Sequence, residues 1–163
     1  MLFKVLRDEG RDDLIYSMTS KTTYPSWGLM RESGATSIWE MWEKDLSGHS
    51  LLHSSYLYPG AWYIDGILGI KKKDPGFRTI DIRIPRKDET NLEWAKGAFN
   101  SPSGLIRTHW WLEDGKRLLE VTVPPNCEAT IYFPLEGDDI VSELSGNAQL
   151  EGQSYGYARF QFQ

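Results

Sequence analysis

Aromatic rings and carboxylates alternate between residues 24 and 42, which read YPSWGLMRESGATSIWEMW. A core helix repeats apolar residues every three or four positions and a core strand alternates them with polar residues, but this stretch does neither. Flat aromatic faces can stack on a sugar ring, and a carboxylate among them can bond hydroxyl groups or move protons. The residue types therefore indicate carbohydrate chemistry, with Glu40, which lies between Trp39 and Trp42, as the candidate acid.

Two roles for Glu40 remain open on the residues alone. It is either a catalytic carboxylate, which must be ionised and face water to act as a base, or a surface acid beside a packed pair of aromatic rings. In the first case Trp39 and Trp42 form an apolar wall that orients one face of a sugar, and in the second they are core. Neighbouring Glu43 and Asp45 are expected to be solvated acids.

The bulk composition excludes several classes of protein. The chain has 163 residues, of which 40% are apolar and 25% are charged, and this balance is typical of globular proteins. Its formal net charge is −5 and Lys71–Lys73 is its only basic run, so no nucleic-acid partner is expected. No apolar run approaches the ~20 residues of a membrane span, and the first residues do not resemble a signal peptide, so the compartment stays open. The single Cys127 cannot form an internal disulfide and no Cys/His spacing suits zinc, so we expect neither a metal nor a cofactor.

The first part of the chain carries helical patterns. Residues 2–10 read as the end of a helix, residues 11–21 as a second helix, and Ser26 as the cap of a short helix that runs through Arg31. Residues 52–70 are apolar and aromatic, which predicts a buried helix that Pro59 must either begin or kink.

After residue 73 the apolar pattern changes to period two. Strands are predicted over 77–85, 92–100, 104–112, 118–123, 128–133, 140–144 and 157–162, with Asp114-Gly115 as a hairpin turn. Trp110 and Trp111 are adjacent on one predicted strand, so one ring is expected in the core and the other outside it. Short strands separated by turns predict an antiparallel β-sandwich. We therefore divide the chain into a helical part, residues 1–72, and a β-sandwich, residues 73–163.

Several motifs run through both parts of the chain. They are TTYPSWG at 22–28 with GATSIWEMW at 34–42, LGI at 68–70 with PGF at 75–77, and SPSGLI at 101–106 with TVPPN at 122–126. Together they resemble the C-terminal end of bacterial α-L-rhamnosidases of glycoside hydrolase family 78. The resemblance covers nearly all of this chain but only the last part of that family's enzyme. It implies a mixed α and β fold in which the terminal helices of an (α/α)6 toroid precede an antiparallel β-sandwich.

The resemblance also implies a reaction. The family hydrolyses terminal α-L-rhamnose with inversion, which requires a general acid and a general base about 6.5–9.5 Å apart. The family's general base is the glutamate of the Gly-Ala-Thr-x-x-Trp-Glu motif, which is Glu40 in this sequence. The family also has a histidine at its sugar site, and His53 is the best match for it. Leucine precedes His53 where the family has asparagine, so His49 stays as the alternative. Candidate substrate-binding residues are therefore Trp39, Trp42 and His53.

The family's general acid and most of its rhamnose-holding acids lie well upstream of this motif, and the residues before Glu40 are too few to hold them. We therefore expect a fragment that is inactive alone and whose natural ligand is a rhamnose-containing glycan or glycoside. Its exposed helical face would be covered by the upstream part of the catalytic domain or by a second copy of the chain.

Two other classes of function stay open. The chain could be a non-catalytic β-sandwich, binding carbohydrate through exposed Trp residues or serving as a scaffold if those residues are buried. It could also be a complete small hydrolase that uses Glu40 with Glu43 or Asp45, although carboxylates on one short segment would not readily face each other across a sugar.

Overall fold

The computed structural model describes residues 2–54, 56–137, 141, 149–154 and 156–162. The chain divides into two compact units. The first, called here the helical unit, comprises Met1–Trp62 and Asp88–Thr90, and the second, called the sandwich unit, comprises Tyr63–Lys87 and Asn91–Gln163.

Short α-helices supply the regular structure of the helical unit. They are α1 (Leu2–Asp8), α2 (Asp12–Ser20), α3 (Trp27–Glu32) and α4 (Tyr58–Trp62). The first two confirm the helices predicted around Gly10. Ser26 caps α3 as predicted, because its hydroxyl accepts a hydrogen bond from the Leu29 N–H at 3.0 Å.

A buried tryptophan links α4 to α2. The Trp62 side chain has no exposed surface, and its Nε1 donates a hydrogen bond to Asp12 Oδ1 at 2.7 Å. The Nε of Arg7 lies 3.5 Å from the same oxygen. Because a buried carboxylate is tolerated only when neighbouring donors replace its lost hydration, Trp62 and Arg7 together make the buried position of Asp12 possible.

Of the two alternatives for residues 52–70, the helix that begins near Pro59 is confirmed, and a helix over the whole stretch is wrong. Helical structure is limited to α4 and a π-helical turn at Tyr63–Ile67, and Ile70 already belongs to a strand. Pro59 lies in the first turn of α4, where the missing N–H of proline costs no helical hydrogen bond. The apolar residues before it, Leu52 and Leu57, are 73% and 53% exposed, so the apolar pattern there does not mark a buried face.

The described part of the sandwich unit contains two sheets. The five-stranded sheet has the order β1-β2-β6-β8-β7 and the three-stranded sheet has the order β3-β4-β5. The strands are β1 (Ile70–Lys72), β2 (Thr79–Arg83), β3 (Trp94–Ser101), β4 (Gly104–Glu113), β5 (Lys116–Thr122), β6 (Glu128–Pro134), β7 (Gln149–Ser154) and β8 (Tyr157–Phe162).

All neighbouring strands run antiparallel except β2 and β6, which pair in parallel with Thr79 opposite Glu128. Parallel neighbours need a long crossover, and here the chain builds the whole three-stranded sheet between β2 and β6. The strand β7 was not predicted from the sequence. It contains the charged Glu151 and a register shift between Leu150 and Gly152, which disturb the alternating apolar pattern of a strand. The strand predicted at 140–144 lies almost entirely outside the described residues.

The two sheets enclose one apolar core. Its most buried members include Ile80 and Ile82 of β2, Ile106 of β4 and Ala129 of β6, all with no exposed surface. The alternation of isoleucines in β2 predicted this inward face. Trp110 is fully buried and Trp111 is half-buried, as expected for neighbours on one strand.

The turn that leads into β1 is held by side chains of β4. Trp110 Nε1 donates a hydrogen bond to the Ile67 carbonyl at 2.8 Å, and the Thr108 hydroxyl donates one to the Leu68 carbonyl at 2.9 Å. Gly69 follows with φ 78°, and a Cβ at this position would stand 2.5 Å from the Arg83 carbonyl oxygen. Only glycine allows this backbone approach, which explains the LGI motif in physical terms.

The hairpin between β4 and β5 confirms the predicted Asp114-Gly115 turn. Both residues have positive φ, 50° and 75°, as a two-residue turn of the type favoured in hairpins requires. Glu113 therefore pairs with Lys116 across the turn, and this pairing sets the register of β4 with β5.

Candidate functional site

Glu40 lies on a segment that pairs with the chain ten residues further on. The Glu40 N–H donates to the Ser50 carbonyl at 3.0 Å, and the His53 N–H donates to the Ile38 carbonyl at 2.9 Å. Residues 41–49 form the loop between these two segments. The backbone around Glu40 is therefore fixed by hydrogen bonds, although it belongs to no regular helix or strand.

The Glu40 carboxylate accepts a further hydrogen bond from this segment. The Ser50 N–H donates to Glu40 Oε2 at 2.8 Å, while the side chain stays 32% exposed. This hydrogen bond and, to a smaller extent, the neighbouring His53 and His49 lower the pKa of the Glu40 carboxyl from its ordinary value. The carboxylate is thus ionised, aimed and still open to water, which are the properties a general base needs.

Both candidate histidines contribute to the surroundings of Glu40. His49 Nδ1 lies 3.7 Å from Glu40 Oε2, and its side chain is 36% exposed. His53 is half-buried, and it lowers the pKa of the Glu40 carboxyl more than His49 does. The structure therefore places His49 at the end of the loop and His53 on the segment that faces Glu40.

An aromatic cluster is formed by Phe3, Trp27, Trp42, Tyr56 and Tyr58. The rings of Trp42 and Tyr56 stack with centroids 4.4 Å apart and an interplanar angle of 22°, and Trp27 meets Trp42 edge to face at 5.1 Å. Trp27 Nε1 also donates a hydrogen bond to the Tyr56 carbonyl at 2.9 Å. Trp42 keeps part of its surface exposed, so this cluster supports a ring at the surface of the helical unit.

Trp39 occupies a different environment from Trp42. Only 3% of its surface is exposed, so in this structure its ring belongs to the core of the helical unit. Of the two predicted tryptophans, Trp42 offers the more accessible aromatic surface.

Glu43 is engaged by a different partner from Glu40. The Tyr24 hydroxyl donates a hydrogen bond to Glu43 Oε1 at 2.6 Å, and this bond raises the pKa of the Tyr24 phenol. Glu43 is exposed, as the sequence predicted for a solvated acid. Its hydrogen bond closes residues 24–43 into a loop around α3.

A shallow pocket of about 340 Å³ lies beside this loop in the helical unit. Its lining comes from α3 and from the segment that leads to Glu40: Trp27, Met30, Arg31, Ala35, Thr36, Ser37 and Ile38. The GATSIWEMW motif therefore combines a pocket wall in its first half with the carboxylate in its second half.

Sequence reasoning missed two contributors to the site. Ser50 acts through its backbone N–H, which no residue type reveals, and Tyr56 stacks on Trp42 from a segment fourteen residues away in the chain. The sequence signal for Tyr56 was an aromatic residue three positions after His53.

Within the described ranges, no three His, Cys, Asp or Glu side chains come close enough together to hold a metal ion. None of the helices in the described part of the chain is both long and apolar enough to cross a membrane.

The chain combines a helical unit that carries a hydrogen-bonded, water-accessible carboxylate with a two-sheet unit, a combination expected of a multidomain glycosidase. Family models agree with this class. Residues 1–67 match the bacterial alpha-L-rhamnosidase 6 hairpin glycosidase domain, and residues 69–147 match the bacterial alpha-L-rhamnosidase C-terminal domain. The chain belongs to the bacterial α-L-rhamnosidase family and corresponds to its C-terminal part.

Individual relatives give the same result. The chain is 33% identical over 148 residues to an alpha-L-rhamnosidase of Formosa agariphila, covering 85% of this chain and 16% of that protein. It is 32% identical to an alpha-L-rhamnosidase of Alteromonas sp., covering 99% of this chain and 18% of that protein. The chain therefore spans less than a fifth of the length of these relatives.

A solved structure supports the fold of both units. The alpha-L-rhamnosidase of Streptomyces avermitilis, crystallised in complex with L-rhamnose, matches 98% of this chain and 16% of its own with a TM-score of 0.81 and 28% identity. The expected fold class, terminal toroid helices followed by a β-sandwich, is confirmed by this match.

Proposed function

We propose that this chain supplies the general base of an inverting hydrolysis of terminal α-L-rhamnose, and that the base is Glu40. The observation that carries the proposal is the hydrogen bond from the Ser50 N–H to Glu40 Oε2, which holds an ionised carboxylate at a water-accessible position. The relative from Streptomyces avermitilis that matches this fold was crystallised with L-rhamnose, which supports the sugar class.

In this mechanism Glu40 takes a proton from a water molecule. The water oxygen attacks the anomeric carbon of rhamnose from the face opposite the leaving oxygen, and the bond between that carbon and the leaving oxygen breaks. A general acid gives the leaving oxygen its proton, so each turnover consumes one water and inverts the anomeric centre. The lowered pKa keeps the Glu40 carboxyl ionised at neutral pH, the state in which it can accept the proton.

Trp42 and His53 are proposed to contact the rhamnose, and Trp39 is proposed to support the site from the core. The Trp42 ring, supported by Tyr56, gives an apolar face against which the C–H groups of a sugar can pack. His53, half-buried on the segment opposite Glu40, can bond a sugar hydroxyl. Trp39 would contribute indirectly, because its buried ring anchors the backbone next to Glu40.

The general acid is proposed to lie in the part of the longer relatives that this chain does not match. The nearest acid along the sequence, Glu43, is bound to the Tyr24 hydroxyl and so is a poor alternative. We propose that the helical unit completes a catalytic domain and that the sandwich unit is the β-sandwich that follows it. The apolar side chains of Leu2 and Val5, 60% and 52% exposed, would be covered by upstream helices or, in the isolated chain, by a second copy.

The test is a chimera in which this chain replaces the matching C-terminal segment of the Streptomyces avermitilis enzyme. We expect no hydrolysis of p-nitrophenyl α-L-rhamnoside by the isolated chain and clear hydrolysis by the chimera. Turnover by the isolated chain that Glu40→Gln abolishes would show that the acid lies within these residues. A chimera that folds cooperatively, as judged by circular dichroism, but has no activity would contradict the proposal.

A further inference from the structure

An exposed aromatic pair lies on the outward face of the three-stranded sheet. Trp94 of β3 is directly opposite Trp111 of β4, and Leu118 of β5 lies on the other side of Trp111. Trp94 is 63% exposed and Trp111 is half-buried, whereas Trp110 between the sheets is fully buried. Single exposed apolar residues are ordinary, but neighbouring large rings on one sheet face mark a surface that binds something.

The Trp111 ring is held in place before any ligand arrives. The imidazole of His109 stacks on the Trp111 ring with centroids 4.5 Å apart and an interplanar angle of 22°. The Nε1 of Trp111 also lies 3.4 Å from Glu113 Oε2, and His109 Nδ1 lies 3.5 Å from Glu120 Oε2. Rings that are already ordered lose little conformational entropy on binding, which favours recognition of weakly bound ligands.

The next rows of the same face are polar. Lys96, His109 and Glu120 are aligned across the three strands, and the row beyond them carries Arg107 and Thr122. All of these side chains are exposed except that of His109, which is half-buried. The face therefore offers hydrogen-bond donors and acceptors next to an apolar aromatic surface, and sugar hydroxyls both donate and accept.

The charges of this face decide between possible occupants. The cations Lys96, Arg107 and Lys116 are largely offset by the anions Glu113 and Glu120, so the face carries little excess charge to attract a polyanion. The core of a protein–protein interface is depleted in charged residues, and these rows are not. A chain of neutral sugar rings, which are apolar on their faces and hydroxylated at their edges, matches both parts of the surface.

We propose that the outward face of β3–β5, centred on Trp94 and Trp111, binds a neutral polysaccharide. This site lies in the sandwich unit, whereas Glu40 lies in the helical unit. The proposal does not depend on the role of Glu40, because sugar binding by the sheet face requires no catalysis.

The test is affinity electrophoresis of the 163-residue chain through native gels that contain galactomannan, xyloglucan or dextran, with polygalacturonate as an anionic probe. We expect at least one neutral polysaccharide to retard the chain. Trp94→Ala and Trp111→Ala should each weaken that retardation about tenfold. Tyr24→Ala, which removes a ring that is 56% exposed in the helical unit, is the matched control and should leave the retardation unchanged.

Circular dichroism and thermal unfolding of each variant ensure that any loss of retardation reports on binding. The proposal is overturned if no neutral polysaccharide retards the folded chain, or if only polygalacturonate does. Retardation that survives both tryptophan substitutions but is lost in Tyr24→Ala would place the sugar on the helical unit instead. Self-association that both tryptophan substitutions abolish, without any retardation by a neutral polysaccharide, would make a second copy the occupant of this face.

Discussion

Trp110→Ala is expected to lower the free energy of unfolding of the sandwich unit by about 3–5 kcal/mol, the range for removing a large aromatic side chain from a packed core. The Trp110 ring is fully buried, and its Nε1 holds the Ile67 carbonyl at 2.8 Å. Arg117 also lies over this ring, with Cζ 5.6 Å from the centroid. The substitution therefore leaves a cavity and an unpaired carbonyl, and it removes the support of the guanidinium group.

Trp94→Ala is the matched control on the neighbouring strand. Trp94 has the same side chain but is 63% exposed, so its removal should change the stability of the sandwich unit by no more than about 1 kcal/mol. Hydrogen exchange of the β4 and β5 amides, measured at increasing urea concentrations, reports on the stability of the sandwich unit separately from the helical unit. Equal effects of the two substitutions would show that Trp110 is not part of the core as described.

Glu40→Gln in the active chimera is expected to lower kcat/KM for p-nitrophenyl α-L-rhamnoside by about 10²–10⁴-fold, the usual contribution of general base catalysis. Glutamine keeps the size of the side chain and can still accept the Ser50 hydrogen bond, but it cannot take a proton from water. Glu43→Gln is the control, since that exposed side chain is bound to the Tyr24 hydroxyl, and it should change the rate by less than about tenfold.

The pH profile gives a second readout of the same substitution. A base works only when ionised, so the activity of the chimera should fall as the pH drops through the pKa of Glu40. Because the Ser50 hydrogen bond and the two histidines lower this pKa, the acid limb of the kcat/KM profile should lie below the ordinary value for glutamate. Glu40→Gln should abolish that limb, and a limb that persists unchanged would assign it to another group.

The sandwich unit was largely predictable because its signals are local. Alternating isoleucines predicted the inward face of β2, and Asp114-Gly115 predicted the hairpin and therefore its register. The parallel pairing of β2 with β6 was not predictable from such signals. It depends on how the chain returns from the second sheet, and no residue of either strand encodes that route.

The helical unit was harder to predict, and the reason is physical. The apolar residues around Leu52 and Leu57 suggested a buried helix, yet these side chains are exposed and the backbone there is irregular. Apolar patterns predict burial but do not say against which surface. The motif was enough to name Glu40 as the candidate base. The lowering of its pKa could not be predicted, because it depends on the Ser50 backbone N–H and on the loop that brings Ser50 next to the Glu40 carboxylate.

The most direct test of the central claim, that Glu40 is the general base of an inverting reaction, is chemical rescue of Glu40→Ala by azide in the chimera. Removing the side chain opens space beside the anomeric carbon, where an azide ion can attack without needing a base. We predict that azide restores cleavage of p-nitrophenyl α-L-rhamnoside and that nuclear magnetic resonance identifies the product as β-L-rhamnosyl azide. The absence of rescue in a folded variant, or an azide product of α configuration, would contradict the account.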